Sequence, residues 1–312
     1  MTYISQIISR DDATQPTSKT KIFQGLPSYA NLDWNHEVQD RTFWCFLNPR
    51  QRPSFTEELL ADLHAVQAQI ADLADRRVHD RSTAVGWVVL ASRTPGIFNL
   101  GGDLTVFSNK IRTRDREGLR QYAYSCVNVG YNNANGYGGN AVSIGLAQGD
   151  ALGGGFESLL SCDVLVAERR ARFGLPEVLM NLFPGMGAHC FLTRRVGSAA
   201  AMRMILSGEV FTAEAMHTMG IVDVLTDDGA GEEAVRKYII GNQSRHHAHA
   251  AAYQARRRVS PVTLAELRDV TDMWVEAALE LTEKDLRRMG HLVAAQDRSR
   301  LCKVSASSIA AE

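Results

Sequence analysis

The stretch GGGFESLLSCDVLVAERRARFGLPE, residues 153–177, decides how this chain is read. Two glutamates stand in it, Glu157 just after a glycine triplet and Glu177 directly after a proline. Both carboxylates thus follow residues that shape the backbone rather than pack a core. Three residues without side chains let a ligand oxygen approach backbone N–H groups, and the apolar run behind them reads as a helix whose first amides are unpaired. With residues 164–167 as a strand that brings the chain back, Glu177 is placed to face Glu157 across a substrate. Two facing carboxylates can move a proton and a water.

Upstream of this stretch the chain alternates strand and helix. Trp44-Cys-Phe46-Leu47 reads as a buried strand before an Asn48-Pro49 turn. Thr56 is a helix N-cap, and Leu59, Leu60, Leu63, Val66, Ile70 and Leu73 recur at helical spacing behind it. Residues 84–91 form an apolar run of strand length. Strand, helix and strand make a right-handed crossover. The pattern repeats with a helix near 116–129, a strand at 141–147, a helix at 153–161 and the strand at 164–167, which makes an α/β core. Downstream, from Gly187, the reading turns helical through 199–206, 213–219 and the long stretch 264–296. That gives an N-terminal extension of residues 1–24, rich in Ser, Thr, Asp and Gln, a core over 25–240, a helical region over 241–300 and a tail over 301–312.

At 312 residues and 45% hydrophobic content the chain can bury a large core. A formal net charge of -1 points away from nucleic acid and anionic membranes as partners. The five cysteines are scattered, odd in number and free of any C-x-x-C pair, which fits reduced thiols in a cytoplasm. No apolar run approaches bilayer length, and the N-terminus has no signal-peptide core.

A second glycine turn, Ile97-Phe-Asn-Leu-Gly-Gly-Asp-Leu104, follows the strand ending at Ala91. Strand ends are where open α/β sheets place ligands. Two such turns offer one backbone N–H each, from near Gly102 and near Gly154, to a single carbonyl oxygen, and an oxyanion hole needs such a pair. Read singly, either motif is equally an ordinary glycine turn.

Taken together, Phe98-Asn-Leu-Gly-Gly-Asp-Leu104, Gln148-Gly-Asp-Ala-Leu-Gly-Gly-Gly-Phe-Glu157, Ser161-Cys-Asp163, Phe173-Gly-Leu-Pro-Glu-Val178 and Pro184-Gly-Met-Gly187 resemble the crotonase (enoyl-CoA hydratase) superfamily, in its order. The likeness is strong over about residues 80–225. It implies a spiral of β/α repeats with a C-terminal helical module that builds homotrimers or dimers of trimers. It also implies Gly102 and Gly154 as oxyanion-hole donors, and Glu157 and Glu177 as the catalytic pair. Val-Leu-Ala-Ser near 90, Leu182-Phe-Pro-Gly-Met-Gly187 and Trp274-Val with residues 284–296 resemble a narrower branch, the bacterial diffusible signal factor synthases. That likeness implies dehydration of a 3-hydroxyacyl thioester on acyl carrier protein to the cis-2-enoyl form, then release of the free cis-2-unsaturated fatty acid as a quorum-sensing signal.

The chemistry follows from the residues. Dehydration removes a proton beside the carbonyl and protonates the departing hydroxyl, so it needs one base and one acid. Two glutamates supply both, with no cofactor or metal, although the sequence does not assign which is which. Apolar walls from Leu152, Phe156, Leu175 and Met180 would raise a carboxyl pKa toward neutrality. Thioester cleavage would need water activated by the same carboxylates, because no G-x-S-x-G elbow is present. Two other readings stay open: an ordinary enoyl-CoA hydratase acting on coenzyme A thioesters, and a binding role toward a signalling sensor protein.

Other features have plainer explanations. Gly136-Tyr-Gly-Gly-Asn-Ala141 fits G-x-G-x-x-A but precedes a strand, so it reads as a loop and not a nucleotide site. His246, His247 and His249 read as a solvated cluster, and Arg256 to Arg258 as a solvent-facing helix surface attractive to an acidic carrier. Trp274 is a core or interface anchor, or else a wall of the acyl pocket. Cys162 and Cys190 read as packing residues.

Overall fold

A computed structural model describes residues 27–75, 84–139 and 141–309, so the extension of residues 1–24 lies outside the described residues. The described chain opens with an antiparallel hairpin of β1 (Leu32–Glu37) and β2 (Thr42–Leu47). Only β2 was expected. Asp33, Asn35 and Glu37 interrupt β1, which is partly exposed, so it lacks the unbroken apolar run of a strand covered on both faces. Helix α1 (Glu57–Asp75) begins after Thr56, whose hydroxyl accepts from the Leu59 N–H at 3.2 Å, and β3 (Trp87–Ser92) pairs parallel to β2. This is the expected strand–helix–strand unit.

The chain then continues through β4 (Ile97–Asn99), α2 (Leu104–Arg112), α3 (Arg116–Ala134) and the one-turn α4 (Gly136–Gly139). Next come β5 (Val142–Ala147), β6 (Asp150–Leu152), α5 (Gly154–Leu160), β7 (Val164–Glu168), β8 (Arg172–Gly174) and a 3₁₀ turn, Pro176–Met180. After these follow α6 (Ala188–Val196), α7 (Ser198–Ser207), β9 (Val210–Thr212), α8 (Ala213–Thr218), β10 (Val224–Thr226), α9 (Gly231–Asn242) and α10 (His246–Val259). Two helices, α11 (Leu264–Leu279) and α12 (Glu283–Ile309), complete the described residues. One sheet has the order β1-β2-β3-β5-β7-β10 and the other β4-β6-β8-β9. Each repeat lays one strand in each sheet, the expected spiral of β/α repeats.

The larger sheet is covered on both faces, which is why its strands read as continuous apolar runs. Phe43, Cys45 and Leu47 pack with α1 and α3, while Trp44 and Phe46 pack with Trp87 and with Val235 and Ile239 of α9. A separate cluster joins Trp274, Val275 and Ala278 of α11 and Met289 of α12 to Leu119 and Ala123 of α3. The stretch 264–296 is divided between two helices because Thr282 and Asp285 form a capping box. The Asp285 carboxylate accepts from the Thr282 N–H at 3.0 Å, and the Asp285 N–H donates to the Thr282 hydroxyl at 3.4 Å.

Candidate active site

Glu157 lies in the first turn of α5, behind the glycine triplet, and is 1% exposed. Its Oε1 accepts from the N–H groups of Met186 and Ala188, each at 2.8 Å. The first amide lies in the Pro184-Gly-Met-Gly187 turn and the second opens α6 just behind it, and between them Gly187 takes a φ of 115° that a residue with a Cβ rarely adopts. Burial pushes the Glu157 carboxyl up to about 7, although the two amides pull it down. The helix N-terminus also favours its charged form.

Glu177 stands in the 3₁₀ turn opened by Pro176 and closed by Asn181 at φ 61°. Its Oε2 is buried and has no hydrogen-bond partner among the described residues. Burial and the neighbouring Glu157 charge drive its pKa well above the carboxylate range. Its Oε1 lies 2.5 Å from where a Cβ on Gly153 would stand. Gly153 itself has φ 53°, so glycine there both makes the turn and leaves room for the second carboxylate.

The two glycine turns meet. The Gly154 nitrogen is 2.9 Å from the position of a Cβ on Gly101. Gly102, Gly154, Glu157 and Glu177 line one cavity of about 40 Å³. Its remaining walls are mainly apolar and include Leu104, Phe107, Met180, Leu182 and Trp274, with Met289 and Leu292 from α12 closing it. Of the expected acyl-pocket residues, Met180 and Trp274 line this cavity, whereas Leu152, Phe156 and Leu175 do not. Phe156 precedes Glu157 by one residue, about 100° around the helix, and so packs into the core against Phe173 at 5.4 Å. Leu175 is buried in the same core cluster, and Leu152 is a half-buried residue of β6.

Sequence reading missed the amides of Met186 and Ala188 as partners of Glu157. The glycines of residues 185 and 187 were the available signal. It also missed Phe107, Met289 and Leu292, whose helices come to the site only through tertiary packing.

Two surface expectations are corrected. His246 is buried, not solvated: its Nε2 donates to the Gly86 carbonyl at 2.9 Å, and its ring meets Trp87 edge-on at 4.8 Å. Arg256 and Arg257 do not simply face solvent, since both reach the buried carboxylate of Asp163 at 2.6 Å. They line a groove of about 760 Å³ whose walls include neither Glu157 nor Glu177. Cys162 and Cys190 are buried, and burial pushes both thiols up to about 12, so neither is poised as a thiolate. No described helix is long and apolar enough to cross a membrane.

The sequence profile of a family described as enoyl-CoA hydratase/isomerase matches residues 46–292. The chain is 41% identical over 128 residues to 2,3-dehydroadipyl-CoA hydratase of Escherichia coli, covering 40% of this chain and 49% of that protein. The matches thus span about half the length of such relatives. Among solved structures, an enoyl-CoA hydratase from Bacillus halodurans superposes with a TM-score of 0.69 at 22% identity, covering 84% of this chain and all (100%) of that one. Pseudomonas aeruginosa DspI superposes with a TM-score of 0.56 at 24% identity, covering 76% and 86% respectively. At these identities the superpositions speak to fold.

Proposed function

The chain belongs to the enoyl-CoA hydratase/isomerase family, and from that premise we propose that it adds water to, and removes it from, the C2–C3 bond of an acyl thioester. The observation that carries this reading is the unequal setting of two carboxylates in one cavity. Glu157 has two N–H donors and a helix N-terminus, so it is the one that ionises near neutrality. Glu177 has one oxygen without a partner among the described residues and faces that charge, so it holds the proton.

In the hydration direction the Gly102 and Gly154 amides donate to the thioester carbonyl oxygen. Charge gathers on that oxygen as the hydroxide oxygen of water bonds to C3. Glu157 takes the water proton and Glu177 delivers its own to C2. Dehydration is the same path reversed, with Glu177 taking the C2 proton and Glu157 protonating the departing hydroxyl. Both directions need the pair to carry one proton between them. Replacing either glutamate by Gln should lower turnover of a 2-enoyl thioester by about 10³-fold. A variant with wild-type turnover would sink the assignment.

The narrower reading is a signal synthase working in the dehydration direction. It would act on a 3-hydroxyacyl chain carried by acyl carrier protein and then hydrolyse the product thioester with water activated by the same carboxylates. The wording of the C-terminal helices supports it, and so does the apolar wall those helices contribute through Trp274, Met289 and Leu292. Given 3-hydroxydodecanoyl acyl carrier protein, the synthase releases free cis-2-dodecenoic acid. A generic hydratase produces only an equilibrium with the trans-2-enoyl thioester. Product analysis by mass spectrometry and chromatography against both isomers separates the two.

A further inference from the structure

Gly102 is held to the Phe55 segment by a single parallel bridge. Its first rung is regular, with the Phe55 N–H donating to the Gly101 carbonyl at 2.8 Å. In a regular ladder the second rung would run from the Asp103 N–H to the Phe55 carbonyl. Here the hydroxyl of Tyr122 stands in it, accepting from the Asp103 N–H at 2.9 Å and donating to the Phe55 carbonyl. Tyr122 comes from α3 and is 3% exposed. Its ring meets Phe107 edge-on at 5.1 Å, and Phe107 fills the space where a Cβ on Gly102 would stand. The residue after Gly102 is fixed a second time, because the Asp103 carboxylate caps α2 by accepting from the Thr105 and Val106 amides.

We propose that Tyr122 is a positioning residue for the oxyanion hole: its hydroxyl, inserted into the Phe55–Gly102 bridge, anchors the peptide plane that follows Gly102 and the Phe55 segment whose N–H holds the plane before it, so the Gly102 amide is fixed from both sides. This rests on the reading of Gly102 as a carbonyl donor. A peptide plane is rigid, so fixing the Asp103 N–H fixes the plane that begins at Gly102, and the Gly101 carbonyl fixes the plane that carries the Gly102 N–H. Burial holds the phenol pKa well above its ordinary value, so the hydroxyl remains a donor throughout the working range. Without the hydroxyl, Asp103 N–H and the Phe55 carbonyl either close on each other or stay unpaired, and either outcome moves Gly102.

The test is the spectrum of 2,4-hexadienoyl-coenzyme A bound to the wild type and to Tyr122→Phe. Donors on the carbonyl oxygen draw electron density toward it and shift the dienoyl absorption to the red. The wild type shows that shift, and Tyr122→Phe loses half of it or more. Its kcat falls about tenfold or more, short of the loss expected when a donor is deleted outright. KM stays within about twofold, and the pH limits set by the glutamates do not move. An equal shift in both proteins overturns the role of Tyr122, and so does a fall in kcat with the shift intact. No shift even in the wild type overturns instead the reading of Gly102 and Gly154 as carbonyl donors. A second measurement avoids any folding defect by placing 3-fluorotyrosine at position 122. Its fluorine resonance moves when the dienoyl thioester binds and not when a thioether analogue lacking the carbonyl binds. A resonance that ignores both ligands, or responds equally to both, overturns the proposal.

Discussion

Glu157 and Glu177 are chemically identical and differ only in what surrounds them, and that difference is enough to divide a proton between them. Two amides at 2.8 Å favour the ionised form of Glu157, while Glu177 faces the resulting charge with an oxygen that has no partner among the described residues. On the proposed mechanism the active form holds one proton in the pair, so activity should rise with pH as the first proton leaves near the Glu157 value of about 7. It falls again at higher pH as Glu177 loses the second. A bell-shaped kcat/KM profile follows, and its limits belong to the pair rather than to either residue. Glu177→Gln should abolish the falling limb in any residual activity, which a pH–rate series of this variant beside the wild type checks. The two glutamates were legible in the sequence because they stand beside backbone-shaping residues. Their division of labour was not, since it depends on amides contributed 29 and 31 positions after Glu157.

Among the elements, the Pro184–Gly187 turn does the most with the fewest side chains. With the first residue of α6 behind it, it presents two N–H groups to one carboxylate oxygen, and it is held on its other side by α11. There the Trp274 ring lies against Gly185, and the Thr271 hydroxyl donates to the Gly185 carbonyl at 3.2 Å. A Cβ on Gly187 would need φ 115° and would stand 2.5 Å from the Phe191 ring. Gly187→Ala should therefore cost about 2 kcal/mol or more in stability, read by denaturant unfolding. It should also move the acid limb of the pH profile upward, because Glu157 loses donors that favour its charge. The strand–helix alternation of this fold could be read from sequence because the larger sheet is buried on both faces. The edge strand β1 and the break at Thr282 could not, since one is polar and the other depends on a local cap. Phe156 shows a related limit, because adjacency in sequence to Glu157 puts it on a different side of α5 and into the core.

At the scale of the molecule, burying two carboxyl groups in one apolar cavity carries a stability cost with a definite pH dependence. Both native pKa values are raised above the ordinary 4.5, so the folded state binds more protons than the unfolded state once the pH exceeds that value. Stability is therefore unaffected by the pair below about pH 4 and declines as the pH rises through 7. Glu177→Gln removes part of this cost, because it takes away the more strongly raised of the two ionisations. Its melting temperature should exceed that of the wild type at pH 8 by about 2 °C or more, and the gain should vanish near pH 4. A gain of equal size at both pH values would mean that packing, not ionisation, is responsible. The C-terminal helices matter on this scale too, since Trp274 of α11 and Met289 and Leu292 of α12 line the cavity that holds both glutamates. The central claim, that two glutamates and two backbone amides add and remove water at C2–C3, is tested most directly with a trans-2-enoyl thioester in ¹⁸O-labelled water, with the products read by mass spectrometry. The account predicts one ¹⁸O atom at C3 with the wild type and about 10³-fold slower labelling with Glu157→Gln and with Glu177→Gln. Wild-type labelling by either variant, or no label at C3 with the intact protein, would contradict it.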